Sequence, residues 1–274
     1  MTTGKRISEA RKRKGLIQDQ LAEQLKVTSQ AVSSWERDEY LPETKNLVAL
    51  AEALDTTVDA LLRDDCGWEM KPVNFSAEHM KTRVKTVAQD RRLRQTQAVV
   101  DLLEKAHGEQ KRKSNHGFDT EYMVHPLTLA CHALAMGIRD DDVLAAVLAH
   151  DMVEDCRDIS LEDLPVNGRV REAVRLVSKN LCDAPAGVNR ERYYYGEIEK
   201  NPLACLVKCL DRVNNLAGMA DYFGRDKMVD YVTETDRYYP ALLEVVKKEP
   251  EWNDAWWLLR YQMNTLVETF KRLL

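Results

Sequence analysis

His150-Asp151-Met152-Val153-Glu154-Asp155 sets four ionisable side chains directly after the apolar run Val143-Leu144-Ala145-Ala146-Val147-Leu148-Ala149, where a hydrophobic core should continue. His150 and Glu154 stand four residues apart, as do Asp151 and Asp155, so a continuous helix would carry them on two adjacent stripes of one polar edge. An imidazole and carboxylates buried without partners are strongly disfavoured, which calls for a cation against that edge. A metal ion is the simplest one. Two further segments supply matching ligands. Tyr122-Met123-Val124-His125-Pro126 leads into Leu127-Thr128-Leu129-Ala130, and a proline at the first helical position places His125 at a helix entrance. Leu206-Val207-Lys208-Cys209-Leu210-Asp211-Arg212-Val213-Asn214-Asn215-Leu216 again sets an acid inside an apolar helix. Together His125, His150, Asp151 and Asp211 form a nitrogen and oxygen set suited to manganese, iron or zinc, with positions left open for water. Each residue alone has an ordinary reading, a satisfied core histidine or a surface aspartate. The specificity lies in the ordered set.

These residues resemble the HD-superfamily phosphohydrolases, and within them the hydrolase domain of the RelA/SpoT family and its free-standing small alarmone hydrolases. That family shows arginine-lysine-serine, a tyrosine shortly before histidine-proline, histidine-aspartate-x-x-glutamate-aspartate, and lysine-x-x-aspartate-arginine with an asparagine four residues after the aspartate. Here the elements are Arg112-Lys113-Ser114, Tyr122 with His125-Pro126, His150 to Asp155, and Lys208-Cys209-Leu210-Asp211-Arg212 with Asn215. They span roughly residues 80 to 220, and four elements in order are far more specific than one His-Asp pair.

The resemblance implies hydrolysis of the 3′-pyrophosphate of guanosine tetra- and pentaphosphate to GDP or GTP and pyrophosphate. It also implies Mn2+ as cofactor, with Fe2+, Zn2+ or Co2+ as alternatives. A metal held by His125, His150, Asp151 and Asp211 would polarise the phosphate and make hydroxide available near neutral pH. Glu154 and Asp155 would orient the water or shuttle its proton. Arg112 and Lys113 would grip the pyrophosphate or stack on the base beside Ser114, unless with Lys111 they are only a solvated charge run. Lys208, Arg212 and Asn215 offer further donors. Two departures stand out: the loop Asn115-His116-Gly117-Phe118-Asp119-Thr120-Glu121 is longer than in the family, and Ser178-Lys179 replaces a threonine-lysine pair. The chain also ends too early to hold a nucleotide pyrophosphokinase domain, so it is expected to degrade the alarmone and not to make it.

At 274 residues, 44% hydrophobic and 31% charged, the chain can bury one good core and a small extra module. No apolar run is long enough to cross a bilayer, and Met1-Thr2-Thr3-Gly4-Lys5-Arg6 leads into an amphipathic helix, not the apolar segment of a signal peptide. Cysteines 66, 131, 156, 182, 205 and 209 include no CxxC pair, as expected for reduced thiols in the cytoplasm. A net charge of −5 gives no overall argument for nucleic-acid binding.

The first 65 residues nevertheless read as a DNA-binding module. Ile7, Ala10 and Arg11 lie on a first helix ending near Gly15, Gln18 to Leu25 form a second, and Val27-Thr28 turn into Ser29-Gln30-Ala31-Val32-Ser33-Ser34-Trp35-Glu36-Arg37. Leu21, Ala22, Leu25, Val27, Val32 and Trp35 fall where two steeply crossed helices share a core, which Leu47, Leu50, Ala51, Leu54, Val58 and Leu61 continue. The segment resembles the lambda-repressor and Cro-like (XRE) helix-turn-helix family. On that resemblance the recognition helix starts near Ser29, with Gln30, Ala31, Ser33 and Ser34 toward bases and Gln18, Arg37, Lys45 and Asn46 on phosphates. Asp38 stands where the family commonly has glycine, and aspartate tolerates the left-handed conformation that glycine supplies there. Residues 1–37 carry eight Lys or Arg against four Asp or Glu, a net of +4, whereas residues 38–65 carry two against eight, a net of −6. The half that would face DNA is the positive one.

The expected architecture is therefore all-α: a five-helix repressor-type domain (1–65), a connector (66–76) and an all-helical HD-type body (77–274) ending in an aromatic-rich region and an amphipathic helix from Arg260 to Leu274. Tyr193-Tyr194-Tyr195 either lines the substrate pocket or packs as a loop on the core. Repressor-type heads act as dimers on two half-sites, so a homodimer on double-stranded DNA is expected, with a guanosine nucleotide as substrate and no membrane partner. Two other readings remain open: the same chemistry on a mononucleotide or on the 2′-phosphate of NADPH, and a regulator that senses a nucleotide through a silent HD pocket.

Overall fold

Helix start signals recur along the chain. Thr2, Thr28, Asp140, Asn167, Asn189 and Asn201 each precede a helix and accept a hydrogen bond from the backbone N–H three residues on, which satisfies one of the donors a helix leaves unpaired at its first turn. The computed structural model describes residues 2–62, 76–107, 111–112, 120–121, 123–156 and 158–274. Among these the protein is all-α apart from one two-residue antiparallel pair, β1 (Lys111–Arg112) with β2 (Thr120–Glu121). It divides into compact units of residues 1–74 and 75–274. The expected connector lies outside the described residues except for Ser76.

The N-terminal unit holds α1 (Thr3–Arg13), α2 (Gln18–Leu25), α3 (Ser29–Glu36), α4 (Thr44–Ala53) and α5 (Val58–Leu62). Ile7, Leu21, Val32, Trp35, Leu50 and Leu61 form its core, with Leu25, Val27 and Val58 partly buried at the edge. Gly4 marks the place where α1 touches α3: a Cβ there would overlap the carbonyl oxygens of Trp35 and Glu36, the second at 2.7 Å. Asp38 adopts φ 57°, as expected of the turn, and does what glycine could not. Its Oδ1 accepts the Gly4 N–H at 2.7 Å and so caps α1 from the far end of α3. Arg11, buried in α1, pairs with Glu36 through Nε and Nη2 at 2.6 and 3.0 Å.

Burial would raise the Glu36 carboxyl, but hydrogen bonds from Arg11 and Gln18 outweigh it and hold the group below its ordinary value. Asp38 is held low by hydrogen bonds from Thr2 and Gly4. Both carboxyls have folded pKa values below unfolded ones, so their stabilisation is present above about pH 4 and disappears as pH falls through the folded values. The melting temperature of this unit, followed by hydrogen exchange in α1 and α3, is expected to drop as pH falls below about 4, with a shallower slope in Glu36→Gln.

The C-terminal unit comprises α6 (Ala77–Arg91), α7 (Arg94–His107), α8 (Val124–Ala135), α9 (Asp141–Ala149), α10 (Met152–Asp155), α11 (Gly168–Val177), a 3₁₀ turn at Lys179–Leu181, α12 (Arg190–Ile198), α13 (Pro202–Tyr222), α14 (Arg225–Val246), a second 3₁₀ turn at Pro250–Trp252, and α15 (Asn253–Leu273). All seven residues from Val143 to Ala149 are buried, which makes α9 a core helix. Asp141 anchors its start by accepting the N–H groups of Gln95 and Thr96 at 3.1 and 2.8 Å. α13 packs on α8, α9, α11, α14 and α15. A helix enclosed to that degree can hold a charge only if a partner is built for it.

Three expectations are corrected here. The chain does not run as one helix through His150-Asp151; it pauses there and restarts at Met152. Helix α8 begins at Val124, so Pro126 sits inside the first turn, where its missing N–H would have had no helical acceptor. The last helix starts at Asn253, not Arg260. Trp252 is buried, but Trp257 is 57% exposed and stacks on the equally open Tyr261. Among the described residues no helix is long and apolar enough to cross a membrane.

Candidate metal centre

Helix α9 ends at Ala149, and His150 and Asp151 follow it with backbone angles still in the right-handed helical region. His150 Nε2 lies 3.0 Å from Asp151 Oδ2. His125, from the first turn of α8, brings its Nε2 to 3.6 Å from the same oxygen and 3.3 Å from Asp211 Oδ1, and His150 Nε2 is 3.7 Å from Asp211 Oδ1. The two imidazole centroids are 5.2 Å apart. His125, His150 and Asp211 are buried, whereas the Asp151 side chain keeps 29% of its surface, which leaves the cluster open on that side.

The far nitrogens fix the rings. His150 Nδ1 donates to the Val147 carbonyl at 2.8 Å, and His125 Nδ1 faces Asn214 Oδ1 at 2.8 Å. With Nδ1 protonated in both, the Nε2 lone pairs converge on the two carboxylates of the cluster. Outer partners that orient imidazoles in this way are characteristic of metal-binding histidines. Ligand pairs around a cation with bonds of about 2.1 Å are separated by roughly 3.0 Å in an octahedron and 3.4 Å in a tetrahedron; here two pairs stand at 3.0 and 3.3 Å and two slightly wider, at 3.6 and 3.7 Å. His125, His150 and Asp151 lie close enough together to hold a divalent cation, and Asp211 flanks both imidazoles. Burial works against charge on His150, but Asp151 and Asp211 outweigh it and push the imidazole up to about 10, so in the bare cluster a proton takes the place that positive charge demands.

Asp211 is the most supported member. Burial alone would raise its carboxyl; Lys208 and the two histidines hold it well below the ordinary range. Lys208 Nζ lies 3.5 Å from Asp211 Oδ2, and Asn215 Nδ2 donates to Oδ1. Lys208 and Asn215, expected against substrate, are thus placed at the centre through Asp211. Arg212 departs from expectation. It is 2% exposed and turned into the interior, with Nη2 on Glu234 at 2.7 Å and on Tyr195 Oη at 3.1 Å, and its guanidinium over the Tyr231 ring at 3.6 Å. A cation held so completely serves the fold, and the substrate contact is withdrawn.

Glu154 and Asp155 are exposed on α10. Glu154 Oε1 accepts the Asn180 N–H at 3.1 Å, which leaves its second oxygen available for proton transfer. Beside it opens a cleft of about 430 Å³ lined by Lys179, Asn180, Cys182, Arg190, Glu191 and Tyr194. The tyrosine triplet lies on α12 and not in a loop: Tyr194 and Tyr195 are buried, the first in the cleft wall and the second in the Arg212 network. Lys113, Ser114 and Tyr122 lie outside the described residues, as does the side chain of Arg112, whose backbone is in β1. Sequence reasoning missed Asn214. An amide three residues after a candidate ligand aspartate was the available sign, and only the register of α13 against α8 gives it meaning. Removing its clamp in Asn214→Ala is expected to weaken Mn2+ binding by about 10- to 100-fold in calorimetric titration, without loss of the helical circular dichroism signal.

In the N-terminal unit the expected reading residues sort by exposure. Gln30, Arg37 and Lys45 are exposed, and Ser29, Ala31, Ser33 and Asn46 are half-buried. Ser34 is 4% exposed and packs inward, so it is withdrawn from the base-facing set. Gln18 directs its amide to Glu36 Oε2 at 2.8 Å, so its side chain braces α2 on α3 and its expected phosphate contact is withdrawn. Arg37 bonds to Ser33 Oγ and, at 2.8 Å, to Glu39 Oε1.

The short second helix, tight turn and third helix define a helix-turn-helix domain, and residues 7–61 match the helix-turn-helix family. The same region is similar to the HTH-type transcriptional regulator ImmR of Bacillus subtilis, 37% identical over 65 residues, and to repressor protein C2 of Salmonella phage P22, 40% identical over 62 residues. A third similarity, 26% identity over 151 residues or 53% of this chain, is to guanosine-3′,5′-bis(diphosphate) 3′-pyrophosphohydrolase of Aquifex aeolicus. That stretch is longer than the whole N-terminal unit and must reach into the helical body. The matches span 51%, 29% and 20% of these relatives' lengths respectively.

Proposed function

We propose that the C-terminal unit is an HD-type, metal-dependent pyrophosphohydrolase that removes the 3′-pyrophosphate of guanosine tetra- or pentaphosphate. The observation that carries this reading is the pair of buried imidazoles, each fixed from behind at Nδ1, whose Nε2 atoms converge on the carboxylates of Asp151 and Asp211. The similarity to the Aquifex aeolicus pyrophosphohydrolase supports the choice of substrate. Bound among His125, His150, Asp151 and Asp211, a divalent cation, Mn2+ first, supplies Lewis-acid polarisation of the phosphoryl group and a more acidic water. Glu154, steadied by Asn180, takes the proton of the attacking water, and Asp155 stands beside it as a second carboxylate. The bond from phosphorus to the 3′ oxygen breaks, the 3′ oxygen gains a proton, and pyrophosphate departs. Lys208 keeps Asp211 ionised and adds positive charge beside the departing anion. Arg112, Lys113 and Ser114 are assigned to the nucleotide on sequence grounds.

The decisive experiment incubates the full chain with Mn2+ and guanosine tetraphosphate and resolves the products by anion exchange. GDP with pyrophosphate is the expected outcome. Release only from NADPH or mononucleotides, run in parallel, would move the activity to those substrates. Absence of any release would leave a sensor, to be tested by gel shift with and without nucleotide.

We further infer that the N-terminal unit binds double-stranded DNA, as a homodimer on two half-sites. Gln30, with Ser29, Ala31 and Ser33, faces bases, while Arg37, Lys45 and Asn46 face phosphates; the exposure of Gln30, Arg37 and Lys45 supports this. Gln30→Ala is expected to cost about 1–3 kcal/mol at one base pair, whereas Lys45→Ala weakens all sequences alike and lowers the salt slope by about one. Equal effects of the two substitutions on specific and random DNA would remove Gln30 from the reading set.

A further inference from the structure

Glu234 on α14 is a carboxylate with only 13% of its side chain exposed, and it gathers three donors from three other elements. Oε2 accepts from Arg212 Nη2 of α13 at 2.7 Å; Oε1 accepts from Tyr195 Oη of α12 at 2.9 Å and from Lys179 Nζ of the 3₁₀ turn at 3.0 Å. Burial would raise this carboxyl, yet Arg212 and Lys179 bring it down to about 2, so it stays ionised between two cations. Arg212 is already enclosed by Tyr231 and Tyr239, so it needs no surface lysine on its carboxylate partner. The Lys179 arm makes sense from the other end. Lys179 precedes Asn180, whose N–H holds Glu154 Oε1 and whose side-chain amide reaches the Val153 carbonyl at 3.4 Å. Arg190 steadies the same turn through the Lys179 carbonyl at 2.9 Å.

We propose that Glu234 is a positioning residue for the hydrolytic centre: by holding Lys179 it fixes the turn that carries Asn180, and so aims the carboxylate of Glu154. This rests on the reading of Glu154 as the acid/base group, and the geometry extends it from α10 to a helix without a metal ligand. The test uses the full chain as wild type, Glu234→Gln and Lys179→Met. The second variant cuts the link at a half-exposed side chain and leaves Arg212 paired, so it folds even if the first does not. Amide exchange at Asn180, followed by NMR, is expected to speed up about tenfold in both. In Mn2+-dependent release of pyrophosphate from guanosine tetraphosphate, both are expected to lose about tenfold in kcat with KM within twofold, and to add nothing further in a Glu154→Gln background. Unchanged exchange at Asn180, losses that multiply with Glu154→Gln, or a raised KM with kcat intact would each overturn the proposal. A wild-type protein inert toward every nucleotide would sink the functional reading instead, while exchange at Asn180 would still decide whether Glu234 fixes the turn.

Discussion

On the proposed function, Asp151→Ala is expected to abolish Mn2+-dependent pyrophosphate release, with a loss in kcat on the order of a thousandfold or more, because a proposed carboxylate ligand and much of the charge that would hold the cation disappear together. Asp151 is the member of the cluster that faces the opening, and its oxygen approaches both histidines, at 3.0 and 3.6 Å. Its side chain is partly exposed and belongs to the pause between α9 and α10, so the core loses no packing when it is cut back. The variant should therefore keep its helical signal and melting behaviour while calorimetric Mn2+ binding collapses, and chelation of the wild type should reproduce the inactive state. A variant that binds Mn2+ as tightly as wild type and still turns over would remove Asp151 from the centre. The comparison with Asn214→Ala is informative, since that substitution touches only the back of one imidazole and should leave a weaker but working site.

Gly4→Ala is expected to unfold the N-terminal unit while the C-terminal unit stays intact. The added methyl would overlap two backbone carbonyls where α1 crosses the end of α3, and backbone cannot swing aside as a flexible side chain can. Overpacking of well-packed sites costs about 1–3 kcal/mol and sometimes more, against a small domain whose whole stability is only about 5–15 kcal/mol. Separating the helices would also pull Asp38 from the Gly4 N–H and strain the Arg11–Glu36 pair. Loss of DNA binding and fast exchange throughout α1 to α5, with unaltered Mn2+ binding, is the expected pattern. Normal DNA binding by Gly4→Ala would show that the crossing can relax.

Much of this was legible in the sequence. His125, His150, Asp151 and Asp211 stood out because each interrupts an apolar stretch, and buried polarity leaves that trace whatever the fold. The ends of α2 and the start of α3 were readable from Gln18, Thr28 and Ser29. What escaped depends on partners distant in the chain. Arg212 looks like any basic residue beside an acid until Glu234, Tyr195 and Tyr231 are seen to enclose it. Gln18 looks like a phosphate contact until Glu36 claims its amide, and Ser34 looks like a base reader until α3 is rolled onto its core. The pause at His150 has no glycine or proline to announce it. Asn214 and Asn215 are indistinguishable by type, and one residue of helical register sends the first to His125 and the second to Asp211.

That register has a mechanical meaning. Within five consecutive residues α13 carries a carboxylate of the cluster, the clamp of the opposing histidine and the arginine that ties the helix to α14. Such a stretch behaves like a single key cut with several teeth: rotating it slightly misaligns every one at once. Bulky replacements of the buried Cys205 or Cys209, six and two residues before Asp211, would thus be felt as a detuned cluster well before they were felt as a melted protein.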